Sequence, residues 1–118
     1  MTARQGRDFF WIYILELANG SYYTGYARDL VRRYQAHSSG RGARLTRSFP
    51  PVALRACWKL YSCRAAAMRT EAWIKGRSRR EKQSLIDDPA ALPGKLLRCG
   101  REEPVEAVIP PPLIPSQL

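Results

Sequence analysis

Apolar and polar positions along the chain fall into short blocks separated by Gly, Ser, Pro and Asn, and those blocks predict the elements. Residues 11–17, Trp-Ile-Tyr-Ile-Leu-Glu-Leu, are aromatic and β-branched, as a strand requires. Ala18-Asn19-Gly20 supplies turn chemistry and Ser21-Tyr22-Tyr23-Thr24 is β-prone again, so a β-hairpin is predicted. Asp29 is placed to cap a helix whose Leu30, Val31 and Tyr34 form an apolar strip, ending at Ser38-Ser39-Gly40. Residues 38–51, rich in Gly, Ser, Arg and Pro, read as a long basic loop without packed structure. Val52 to Leu60 reads as a third strand, and Ser62 is placed to cap a second helix from about Arg64 to Lys75, stopped by Gly76. Ser78-Arg79-Arg80-Glu81 has the form of a capping box and opens a short third helix through Ile86. After Asp87-Asp88-Pro89 the composition shifts, and Ile109-Pro-Pro-Pro-Leu-Ile-Pro lacks apolar periodicity. The chain therefore divides into an N-terminal extension (1–10), one domain (11–86) and a Pro-rich, flexible or extended tail (87–118). The order strand, strand, helix, strand, helix, helix implies an α+β fold, a small three-stranded, mainly antiparallel sheet flanked by helices.

Charge adds a partner to this picture. The 118 residues carry a net charge of +10 and a pI near 10.2. Residues 11–86 alone hold 15 Lys and Arg against 4 Asp and Glu, whereas residues 87–118 are net negative. The basic character belongs to the domain, and a polyanion is the partner it suits. Attraction to anionic lipid is the competing explanation from charge alone. Phe9 to Leu15, the longest apolar start, is cut by Glu16 and has no small-residue cleavage site, so it is neither a signal peptide nor a membrane span. Cys57, Cys63 and Cys99 are odd in number and lack Cys-x-x-Cys spacing, which argues against a disulfide framework and a zinc ribbon and for a reducing cytoplasm.

Several residues stand out chemically. Arg33 and His37 lie four apart, on one face of the first helix beside the strip of Leu30 and Tyr34. Taken singly, each is equally well an ordinary surface charge or a lone histidine. Glu71 falls among Ala67, Met68 and Ile74 on one side of the second helix, where a carboxylate is costly without compensation. A pair with Lys75 at i, i+4 explains it equally well. Tyr13 and Tyr23 sit on the hairpin strands and, like Tyr22, Tyr26, Tyr34 and Tyr61, default to packing.

Together these residues make a pattern. Trp11-Ile12-Tyr13, Tyr23-Thr24-Gly25, Arg33, His37 and Glu71 in this order resemble the GIY-YIG nuclease superfamily over about residues 11–86. The resemblance is closest to its small stand-alone bacterial branch, the UPF0213 type, through Asn19 to Gly25, Asp29 to Arg33, His37 to Arg47, Pro51-Val52 and Glu71 to Lys75. Trp11 departs from the first glycine of the family name. No segment reads as a separate DNA-targeting domain.

The resemblance implies a DNA endonuclease hydrolysing phosphodiester bonds, selective for structure rather than sequence, in repair or recombination. Glu71 would hold one divalent cation, Mg²⁺ or Mn²⁺. Arg33 would face the charge growing at phosphorus; Tyr23 is the first choice for the base, with Tyr13 positioning the water and His37 assisting or holding the phosphate, and the sequence leaves these three roles exchangeable. Gly25 would be a close-approach position. By their charge, Arg41, Arg44, Arg47, Lys75, Arg77, Arg79 and Arg80 are candidates for nucleic-acid contacts, each equally well part of a solvated basic face. A shared site needs both tyrosines on one face of the hairpin. A two-residue Asn19-Gly20 turn would separate them, whereas a three-residue Ala18-Asn19-Gly20 loop with Gly20 left-handed puts Tyr13 opposite Gly25. The three-residue loop is therefore predicted. A nucleic-acid-binding module that does not cut, and an adaptor using the Pro-rich tail, are the alternatives; protein partners are undetermined.

Overall fold

A computed structural model describes residues 8–112. Strands β1 (Phe10–Leu17) and β2 (Tyr22–Ala27) form the hairpin, followed by helix α1 (Leu30–Ser38), a five-residue helix α2 (Arg44–Ser48) and strand β3 (Pro51–Leu60). Helices α3 (Arg64–Lys75) and α4 (Arg79–Asp87), a 3₁₀ turn (Pro89–Ala91), α5 (Leu92–Arg98) and the short strand β4 (Val105–Ala107) complete it. The sheet is antiparallel with strand order β2-β1-β3-β4. Four strands replace the expected three, because three residues of the segment read as a tail add to the free edge of β3.

That segment packs instead of trailing. Leu92 and Leu96, one helical turn apart, are fully buried with Val105 nearly so, and they close one face of the core. Trp58 Nε1 donates to the Pro89 carbonyl at 2.7 Å and Tyr61 N–H to Pro104 at 3.0 Å, pinning both ends of the segment. Residues 113–118, the end of the expected tail, and 1–7 of the expected extension lie outside the described residues. Phe10, also assigned to the extension, begins β1 and is buried.

The hairpin loop is the three-residue form. Leu17 N–H donates to Ser21 at 2.9 Å, Gly20 has φ 84°, and Tyr13 pairs with Gly25. Gly20 takes the left-handed conformation that a side chain resists. A register shift between Ile14 and Leu15 against β3 leaves Arg55 as the extra residue, so Leu54 and Cys57 can face the same side.

Period-two alternation on β1 sends Phe10, Ile12 and Ile14 to one face, against Ala66, Ala67 and Ile74 of α3, Leu85 of α4 and α5. Tyr13, Leu15 and Leu17 go to the other, under Leu30 and Tyr34 of α1. The α3 stripe is Ala66, Ala67, Thr70 and Ile74; Met68, expected on it, is 53% exposed, one residue off the buried side. α3 is capped by Cys63 without a side-chain bond rather than by Ser62, whereas the capping box of Ser78 and Glu81 forms as read. The expected loop over 38–51 contains α2, held by one inward residue, Thr46.

Candidate active site

The two tyrosines meet because the bulged hairpin puts them on one face. Tyr13 comes from the inner strand β1 and Tyr23 from the edge strand β2, two residues before Gly25. A Cβ on Gly25 would stand 2.4 Å from the Tyr13 hydroxyl oxygen, so the phenol lies across the glycine and can lie nowhere else without moving.

Behind Tyr13 sits His37, fully buried. Its Nδ1 is 2.8 Å from Thr46 Oγ1, and the Thr46 hydroxyl donates to the Ala43 carbonyl at 2.8 Å. With the threonine proton engaged there, Nδ1 carries the hydrogen and donates to Oγ1; Nε2 is left as an acceptor for the Tyr13 hydroxyl at 3.0 Å. Burial, with the Arg33 guanidinium adding to it, lowers the His37 pKa to about 4, so the ring is neutral and fit to accept. Burial and the neighbouring Tyr23 raise the Tyr13 phenol above the ordinary tyrosine range, against the pull of Arg33. Tyr13 is therefore a protonated phenol whose hydrogen points away from the cleft.

Tyr13, Tyr23, Gly25, Arg33 and Glu71 line one open cleft of about 380 Å³. It lies at the β2 edge, where side chains from both faces of the sheet meet: α3 contributes Glu71 and Arg64, while Tyr26 and Arg28 come from β2 and the residue after it. The Lys75 ammonium pairs with Glu71 at 3.2 Å and stands 5.6 Å from the centre of the Tyr23 ring. Glu71 thus has the i, i+4 lysine partner and also lines the cleft, while the buried stripe of α3 runs through Thr70 instead. It is the only carboxylate among the cleft-lining residues, against the guanidinium groups of Arg28, Arg33 and Arg64.

Residues 9–84 match the GIY-YIG catalytic domain. The chain belongs to the GIY-YIG family. Members of this family are typically nucleases. The chain is 46% identical over 76 residues to the UPF0213 protein BH0048 of Halalkalibacterium halodurans, which spans 64% of this chain and 80% of that protein. It is 42% identical over 84 residues to a UPF0213 protein of Xanthomonas campestris pv. campestris, 71% of this chain and 81% of the relative. The solution NMR structure of BH0048 aligns over 67% of this chain and 83% of its own at 44% identity, with a TM-score of 0.44.

The other GIY-YIG positions divide. His37 does not line the cleft, and both its nitrogens are engaged, so no phosphate reaches it in this arrangement. Arg41, Arg44 and Arg47 are exposed on and before α2. Arg77 is committed elsewhere: its guanidinium stacks 4.4 Å over Trp73, Nε donates to the Trp73 carbonyl, and with Arg80 it lines a separate hollow beside Leu85 and Lys95. Arg79 donates to the Gly20 carbonyl at 2.8 Å and covers Tyr22, tying α4 to the hairpin. No helix is long and apolar enough to cross a membrane among the described residues.

Four residues at the site carried no signal of their own in the sequence. Arg28 and Arg64 read as ordinary charges, yet they wall the cleft, stacked 4.4 and 5.2 Å over Phe10. Thr46 fixes the His37 tautomer. Gly42 gives the histidine room, since a Cβ there would fall 2.2 Å from His37 Nδ1. The His-x-x-Gly-x-Gly-Ala-Arg-x-Thr run contained both of these last two, but only as letters of a motif.

Proposed function

We propose that this protein is a metal-dependent DNA endonuclease that hydrolyses phosphodiester bonds and selects substrates by DNA structure, in repair or recombination, with one Mg²⁺ or Mn²⁺ ion as cofactor. The observation that carries the reading is the convergence of Tyr13, Tyr23, Arg33 and Glu71 from four elements on one cationic cleft.

The donor set suits the ion. Glu71 offers a single carboxylate that already takes a cation, the Lys75 ammonium. Among the described residues no group of three or more His, Cys, Asp and Glu gathers. A single carboxylate oxygen donor suits a hard ion that keeps most of its shell in water and phosphate oxygen. Glu71 would hold the divalent ion, which when bound would supply charge neutralisation to the phosphoryl transfer.

The protein's own groups supply the rest. The Arg33 guanidinium offers a planar donor fork to the non-bridging oxygens as charge builds there. Arg28 and Arg64 hold neighbouring phosphates by charge. Tyr13, its hydrogen fixed on His37, turns only lone pairs to the cleft and so accepts a hydrogen bond from the attacking water, aligning it. Tyr23, its own proton first lost to solvent, takes the water's proton as base.

Labelled duplex, nicked, flapped and branched DNA, incubated with Mg²⁺, Mn²⁺ or chelator, test this. Wild type cuts only with metal and Glu71→Ala not at all, with the order of rates ranking the substrates. Wild type that binds DNA in every condition and never cuts makes it a binding module instead.

A further inference from the structure

Two of the six large apolar side chains exposed among the described residues lie within a single helical turn: Leu45, 41% exposed, and Phe49, 39% exposed. Leu45 lies in α2 and Phe49 caps its C-terminus, with the Phe49 N–H bonded to the Leu45 carbonyl at 2.9 Å. Scattered apolar surface residues are ordinary, but this pair is set among cations. Arg41, Arg44 and Arg47 flank it along the chain, all exposed, and the side chains of Arg44 and Arg47 make no hydrogen bond or ion pair among the described residues. Residues 30–70 contain nine Lys and Arg and no Asp or Glu. An apolar tip among exposed arginines is complementary to phosphates around exposed base faces, and far less so to another protein as basic as this one.

The place of α2 gives the surface a purpose. Thr46, its one buried residue, is hydrogen-bonded to His37, and His37 to Tyr13, so the helix is two hydrogen bonds from the cleft. We propose that α2 is a DNA-distortion wedge: Phe49, with Leu45 beside it, enters between bases already unstacked at a bulge or flap junction, while Arg41, Arg44 and Arg47 hold the flanking phosphates. Apolar side chains inserted at base steps work this way in other DNA-binding folds, and intact stacking resists them. The wedge makes a distorted duplex the preferred substrate of the cleft, and Thr46 ties its seating to the alignment of Tyr13. This inference rests on the DNA-nuclease reading but fails separately from it.

The test uses the full chain in chelator, so that nothing is cut, with two duplexes of one sequence, intact and carrying a 2-aminopurine bulge. Wild type binds the bulged duplex about tenfold or more tighter, the range expected for stacking one base on an aromatic ring, and changes the 2-aminopurine fluorescence. Phe49→Ser loses the preference and the fluorescence change, keeps its affinity for intact duplex and melts like wild type; Phe49→Trp restores both. Arg44→Ala and Arg47→Ala weaken both duplexes alike and reduce the salt dependence. Equal wild-type affinity for the two duplexes, or a preference that survives in Phe49→Ser, overturns the wedge and leaves the nuclease reading standing. A concentration-dependent dimer that Phe49→Ser dissolves also overturns it, since the patch then faces a second copy. Wild type that binds neither duplex overturns both readings together.

Discussion

The two faces of the sheet are built from the same three long strands yet bury different chemistry. The face under α3, α4 and α5 holds Phe10, Ile12, Ile14, Ala56, Trp58 and Leu60, with two threonines, Thr24 and Thr70, as its buried polar side chains. The face under α1 buries Tyr13 and Tyr34 beside Leu15, Leu17 and Leu54, with His37 and Thr46 behind them. Hydrocarbon packing tolerates many shapes of similar volume, whereas each buried polar atom needs one particular partner. The first face should therefore dominate stability and the second the chemistry, and four measurements can break or sharpen that division.

The largest effect is expected from Trp58→Ala. This indole is fully buried, and its removal leaves a large cavity and an unpaired Pro89 carbonyl. Urea unfolding should show a loss of about 3–5 kcal/mol, enough to unfold much of a domain this size. A loss below about 1 kcal/mol would mean that the C-terminal segment docked on Trp58 contributes little to the core.

Acid should act next, and on the other face. His37 has a folded pKa of about 4 against an ordinary 6.5, so the unfolded chain takes the proton first. Stability from this group is complete above pH 6.5 and is lost as pH falls towards 4, by on the order of 2–3 kcal/mol. Urea midpoints measured between pH 7 and 4 should fall steeply for wild type and less for His37→Asn, whose side chain does not titrate. Parallel curves would show that His37 is not the buried neutral acceptor described above.

Gly25→Ala should cost about 1–3 kcal/mol, because the new methyl would fall 2.4 Å from the Tyr13 hydroxyl and the phenol would have to shift. Gly94→Ala on α5 is the control: nothing lies within 4 Å of its Cβ, and helix propensity favours the alanine by about 0.5–1 kcal/mol. Opposite signs in thermal melts of the two variants are the expected result.

How far each face could be read from the sequence follows the same division. The first hairpin strand, α1, β3 and α3 repeat their apolar positions over eight or more residues or carry turn residues, and they emerged within a residue or two, whereas β2, read over residues 21–24, runs on to Ala27. The bulged loop was deducible because a common face for Tyr13 and Tyr23 excludes the two-residue turn. α2 was hidden because five residues cannot show a helical period, and its packing rests on Thr46 alone. The C-terminal segment was hidden by its prolines: the signal was Leu92 and Leu96 at helical spacing, and β4 is only three residues long. Within the site, Tyr13, Tyr23, Arg33 and Glu71 could be placed together by motif. The roles of Gly42, Thr46, Arg28 and Arg64 are set by which atoms lie beside them, and no linear pattern encodes that.

Tyr13→Phe should have the smallest effect on stability and separates the two faces most sharply. It removes one hydroxyl, leaving His37 Nε2 without its donor while the ring keeps its packing over Gly25. The cost should be about 1 kcal/mol, the usual net value of such a bond, far below that of Trp58→Ala. On the proposed mechanism, cleavage should nevertheless fall about 10²–10⁴-fold, since the oxygen proposed to align the water is gone and Tyr23 cannot replace it from the edge strand. Urea midpoints and cleavage rates measured on one preparation decide the matter. A stability loss as large as that of Trp58→Ala would mean that the hydroxyl is part of the core and that the faces are not divided as argued. Near-normal stability with unchanged cleavage would take Tyr13 out of the reaction and leave the water to Tyr23 alone.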